Sequence, residues 1–156
     1  LFVVLAVAEP ESPLVRTLGR AAAATAIVPI ATGILFATLR GLWPEAHGQW
    51  LWMIYEAGFL GLCVYGARVW LPRRGPGLGA TGLAESDLAG RAFIASLFGY
   101  SAAYYAIWLA ADGLIVLAGL DLGWAIRMVP NQLYYAFWTS FVYARFFSLP
   151  SANAAR

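Results

Sequence analysis

The sequence predicts an all-α, polytopic integral membrane protein: a helical bundle of four transmembrane helices, with a truncated fifth at the N-terminus left open. Three observations lead there. Of its 156 residues, 62% are hydrophobic and 12% charged, and the mean hydropathy is +0.70, whereas soluble domains run at about 45–50% apolar and about 25% charged. Four stretches, roughly 21–39, 50–70, 93–118 and 124–146, match the ~20 mostly apolar residues that cross a hydrocarbon core about 30 Å thick. No period-two strand pattern competes with them, and an unpaired sheet edge has nothing to satisfy it in lipid. A chain of this length has room for one membrane domain, 21–148, and no separate soluble module.

The elements follow in chain order. LFVVLAVA, residues 1–8, is apolar but too short to span. It fits the tail of a longer span, an interfacial piece, or the end of a signal peptide with Ala6-Val7-Ala8 resembling a cleavage site. EPESP, Glu9 to Pro13, is a turn because Pro10 and Pro13 interrupt helix, so residues 1–20 form an apolar piece and a cytoplasmic turn ahead of the first span. The first two spans are joined by WPEAHGQW, a short loop holding His47 beside Glu45. The Gly-rich segment 71–92 is the one sizeable hydrophilic loop, and Ser86 or Asp87 suits the N-cap of the third span. A polar tail, 149–156, follows the fourth.

Arginine placement sets the expected orientation. With both ends of the four-span unit in the cytoplasm, Arg16, Arg20, Arg68, Arg73, Arg74, Arg91, Arg145 and Arg156 lie inside, and Arg40 and Arg127 lie outside. That is a positive-inside bias, from which a cytoplasmic C-terminus is expected; the expected location is the cell's inner (plasma) membrane. A cleaved signal peptide would invert the count and is disfavoured. Trp43, Trp50, Trp52 and Trp124 then gather at the outer interface and Trp70 at the inner one, as aromatic belts do.

Scarcity excludes several chemistries. One cysteine, Cys63, permits no intrachain disulfide, and one histidine, His47, permits neither a metal site of several Cys/His ligands nor bis-His haem. No His-ligated haem or chlorophyll is expected, because that histidine is in a loop. Cys63 reads as a small packing residue and His47 as a solvated loop side chain. A net charge of +2 gives no reason to expect nucleic acid. Gly77-Leu78-Gly79-Ala80-Thr81-Gly82 matches G-x-G-x-x-G, but a membrane span rather than a strand precedes it, and its nearest acids are Glu85 and Asp87. It reads as a flexible loop rather than a dinucleotide site.

Two sets of residues carry what functional signal there is. On the third span Ser96, Gly99, Ala103, Ala106, Ala110 and Gly113 are spaced three or four apart and draw one small-residue seam, with Leu97, Phe98, Tyr104, Tyr105 and Trp108 opposite. Small residues let helix backbones approach in lipid, so the seam is expected to pack helices, first within the chain and also against another subunit. Ala57, Gly58, Gly61 and Gly66 on the second span, and Gly33 and Ala37 on the first, add to it. The second set is polar. Glu56, about 9 Å into its span at 1.5 Å per residue, joins Asp112, Arg127, Asn131 and Gln132 in the outer half of the bundle. Ionisable groups in a span are costly and count as site candidates. A pair between Arg127 and Glu56 that locks two helices and a ligand or proton site are both compatible with this pattern.

The last span carries Tyr134, Tyr135, Phe137, Trp138, Phe141, Tyr143, Phe146 and Phe147 on all sides, which suits lipid contact or a groove for a flat apolar molecule such as a quinone or carotenoid. No nucleophile with an adjacent base and no phosphate-binding loop is recognisable. The expected function is a non-catalytic membrane subunit, an accessory, anchor or scaffold component of a larger complex. Its expected partners are other integral membrane subunits and lipids. The alternative is a small-solute transporter or substrate-binding component with an outward-facing polar site.

Overall fold

The computed structural model describes residues 14–73 and 87–148. The expectations for residues 1–8, the EPESP turn, Ser86, the G-x-G-x-x-G segment and the tail lie outside these. The described residues form four helical runs, and no strand occurs among them. Helix α1 is Leu14–Leu42 and α2 is Gln49–Arg73, with a π-helical turn at Gly66–Trp70. Helix α3 is Asp87–Val116. Run α4 is a succession of Leu122–Ile126, Met128–Gln132, a π-helical turn Leu133–Phe137, and Trp138–Phe147.

Three helices are long and apolar enough to cross a membrane: Leu18–Leu42, Gln49–Arg73 and Ala89–Val116. They overlay the first three stretches expected from the sequence, which marks a membrane protein. The four-span bundle is shown only as three such helices and a fourth, interrupted run. The interruption falls at Arg127, where a turn separates two short helical pieces, and a π-turn follows.

Helix α1 stays helical through Pro29, and Thr25, Thr32 and Thr38 donate their hydroxyls to the carbonyls of Ala21, Pro29 and Ile34. Such bonds satisfy a hydroxyl where no water is at hand. The turn to α2 ends with His47 accepting the Gln49 backbone N–H on Nδ1 at 3.1 Å. His47 is exposed, as expected for a loop histidine, but it also satisfies one of the free donors at a helix start.

Helices α2 and α3 run antiparallel and form the main packing surface. Phe59 stacks on Tyr105 with centroids 5.1 Å apart and planes 6° apart, and Cys63, Tyr104 and Tyr105 form the buried core there. Farther along, Gly66 lies so close to the Phe98 ring that a Cβ would collide with it. At that same end Arg91 donates to the Leu71 carbonyl at 2.9 Å. Gly58 admits α1, whose Val28 methyl would sit 3.0 Å from a Cβ placed there.

The middle of the small-residue seam is turned out of this packing, against the expectation that the seam packs helices first within the chain. Gly99, Ala103, Ala106 and Ala110 are exposed, and nothing approaches the Cβ positions of Gly99 and Gly113 within 4 Å. Instead α3 turns its bulky face inward, burying Leu97, Tyr104 and Tyr105. Aromatic side chains bury far more area and gain from offset and edge-to-face pairing, so they win the interior.

Candidate functional site

At the end of the bundle where α1 turns into α2 and α3 into α4, three elements converge on a buried polar cluster. Gln49 and Glu56 lie seven residues apart on α2 and therefore share a face two turns apart. Both are buried, as is Asp112 near the end of α3.

The fourth member arrives by a turn of defined chemistry. Helix α3 ends with Gly119 at φ +64°, and the Leu120 N–H bonds the Leu114 carbonyl at 2.9 Å. This is the left-handed closing turn for which glycine is favoured. Gly123 then comes so close to α3 that a Cβ would strike the Ala111 carbonyl oxygen and the Ile115 side chain. The Arg127 N–H bonds the Gly123 carbonyl at 3.0 Å, one turn on, so the guanidinium comes back over α3 beside Asp112.

Arg127 donates to Asp112 Oδ1, and the same Nη1 atom is 3.9 Å from Glu56 Oε1. Gln49 Nε2 donates to Asp112 Oδ2 at 2.9 Å. The Asp112 side chain has no solvent exposure, Glu56 has 3% and Arg127 has 18%. The Arg127 guanidinium also lies 5.8 Å from the centroid of the Trp124 ring. Asp112 is thus bonded on both oxygens. Glu56 Oε2, equally shut off from solvent, has no hydrogen-bond partner. Burying a charge without a partner is prohibitively costly, so this set of residues must be understood as one unit.

The other candidates divide. Asn131 accepts a hydrogen bond from Trp108 Nε1 at 3.1 Å and so ties α4 to α3 one turn below Arg127, outside the ionic cluster. Gln132 is exposed. Pro130 is fully buried. Below it, Tyr100 donates its hydroxyl to the Leu133 carbonyl at 2.8 Å, at the start of the π-turn, where the regular ladder is broken. Tyr104, Trp108, Tyr134, Trp138 and Phe141 complete an aromatic contact between α3 and α4, with Tyr100 stacked on Phe141 at 4.2 Å. The remaining aromatics of α4, Tyr135, Phe137, Tyr143, Phe146 and Phe147, are exposed.

Gln49 is the participant that sequence reasoning passed over, because it precedes the apolar run and reads as loop. Its seven-residue spacing from Glu56 is the signal that picks it out. Asp112, Arg127 and Glu56 come together as a trio in which the closest pairing of Arg127 is to Asp112. Among the described residues no group of three or more His, Cys, Asp and Glu side chains converges as metal ligands would.

No protein-family model matches the chain, and comparisons with curated proteins and with solved structures found no significant match.

Proposed function

We propose that this chain is a non-catalytic integral membrane subunit that assembles laterally with other transmembrane helices, as an accessory, anchor or scaffold component. The observation that carries the reading is the small-residue face of α3, Gly99, Ala103, Ala106 and Ala110, turned away from the chain's own core. A face that small gains dispersion contacts when a second helix backbone closes on it. Helix α1 points the same way. Only 11% of its spanning window is buried, and Ile27, Ile30, Ile34 and Leu35 are all exposed. In this reading α4 completes a fourth crossing, the chain sits in the inner membrane with its C-terminus in the cytoplasm, and the exposed aromatics of α4 meet lipid, quinone or carotenoid.

The test is gentle extraction from native membranes followed by native mass spectrometry, comparing the wild-type chain with Ala103→Leu. Stoichiometric partner subunits on the wild type, and their loss from an Ala103→Leu chain that still accumulates with unchanged helix content, is the expected result. Because Ala103 is exposed, its substitution is expected to shift the stability of the isolated chain by less than about 0.5 kcal/mol. A wild-type chain recovered alone, or a complex indifferent to Ala103→Leu, sinks the reading.

The second reading, a transporter or substrate-binding component, is favoured by one observation: the unpartnered Glu56 Oε2 inside the polar cluster. Buried ionisable groups of that kind mark ion and proton paths in membrane proteins. A chain purified alone with a solute or ion at stoichiometric occupancy, lost in Arg127→Gln, is the result that supports it.

A further inference from the structure

The cluster at the α2, α3 and α4 junction has an unequal count of charges. Two carboxyl groups, Glu56 and Asp112, share a single guanidinium, Arg127, and Gln49 contributes no charge. With both carboxyls ionised, a net negative charge is left in a site from which solvent is almost excluded, and the interior does not tolerate an uncompensated ion. The bonding pattern identifies which atom is short of a partner. Asp112 Oδ1 is bonded by Arg127 and Oδ2 by Gln49, whereas Glu56 Oε2 is bonded by nothing. Glu56 and Asp112 share one neighbour, since the Arg127 Nη1 atom that bonds Asp112 Oδ1 is also 3.9 Å from Glu56 Oε1.

We propose that this site binds one proton, carried on Glu56 Oε2 and donated toward the Asp112 carboxylate, so that Glu56, Asp112 and Arg127 together are electrically neutral. A carboxylate oxygen has two lone pairs, so each Asp112 oxygen can accept a further bond beyond those it already receives. Protonation turns Glu56 Oε2 from a stranded acceptor into a donor and removes the excess charge in one step. A hard metal cation fits less well. It collects about six or more oxygen ligands, and the nearest carboxylate already serves Arg127 and Gln49. The groups facing Glu56 are Asp112 from α3 and Arg127 from α4, with Tyr55 beside it on α2. Helix α1 meets α2 nearby at Gly58 through Val28 and Thr32, neither of which titrates. Arg127 is the member of the trio most open to solvent, which places proton exchange on its side of the cluster.

A proton on Glu56 does not depend on whether the chain has partner subunits. Infrared spectra of the full chain in lipid nanodiscs, in H2O and D2O, read the carbonyl stretch of a protonated carboxyl. At neutral pH the wild type is expected to show one isotope-sensitive band of this kind. Glu56→Gln removes it. Asp112→Asn also removes it, because Glu56 then faces Arg127 alone and ionises against it. The two variants reach the same loss by different routes, so poor folding of one leaves the other decisive, with helix content by circular dichroism as the control. The proposal is overturned by a wild type without the band or by a band that survives Glu56→Gln.

Discussion

Replacing Arg127 with glutamine is expected to destabilise the folded chain by about 3–5 kcal/mol, the range for removing one partner of a buried ion pair. The cause is what remains. Asp112 has no exposure and Glu56 has 3%, so neither carboxyl recovers the solvation that the guanidinium replaced. Lysine is expected to recover only part of the loss, since its ammonium is a compact point charge, more strongly hydrated than a guanidinium and so costlier to hold between two buried carboxyls. Unfolding of the purified chain by denaturant in a fixed detergent measures the difference. The double variant Arg127→Gln with Asp112→Asn is expected to be more stable than Arg127→Gln alone, because it removes the stranded charge as well as its partner. An Arg127→Gln chain within about 1 kcal/mol of wild type would show that water reaches the cluster freely, and the ionic account of it would fail.

How much of this was visible in the residues differs by level. The second and third helices were legible because lipid imposes length and apolarity, and the expected 50–70 and 93–118 became Gln49–Arg73 and Ala89–Val116. The gathering of Glu56, Asp112 and Arg127 at one end was legible for a related reason: successive membrane helices run antiparallel, so depth along each predicts who meets whom. The inward face of α3 was not. Both sides of that helix are apolar, and periodicity draws two faces without saying which one the chain keeps for itself. The stacking of Phe59 on Tyr105 and the aromatic contact between α3 and α4 decided it. The break in α4 was only partly visible. Pro130 can loosen a helix's first turn, but the turn at Arg127 goes with the close approach of Gly123 to Ala111, a tertiary fact.

That contact makes Gly123 the position where a single methyl group is expected to do most damage. In Gly123→Ala the new Cβ meets the Ala111 carbonyl oxygen, part of the α3 backbone, together with Ile115. A flexible side chain could swing aside, whereas a helix backbone can yield only by moving the helix. Overpacking of this kind costs about 1–3 kcal/mol, and the displacement has a direction. Gly123 begins α4, Arg127 follows one turn later, and Ala111 adjoins Asp112, so pushing the two backbones apart draws the guanidinium off its carboxylate. Loss of that pair adds to the steric cost, so the total is expected to approach that of Arg127→Gln. Gly119→Ala is the control. It places alanine at a left-handed φ of +64° and is strained by about 1–2 kcal/mol, yet nothing lies within 4 Å of its Cβ and the ionic cluster is untouched. Denaturant unfolding of single and double variants separates the two effects. Gly123→Ala combined with Arg127→Gln is expected to cost clearly less than the sum of the singles, since the pair can be lost only once, whereas Gly119→Ala with Arg127→Gln is expected to add. Additivity at Gly123 would mean that its close approach to α3 serves packing alone and has no part in placing Arg127.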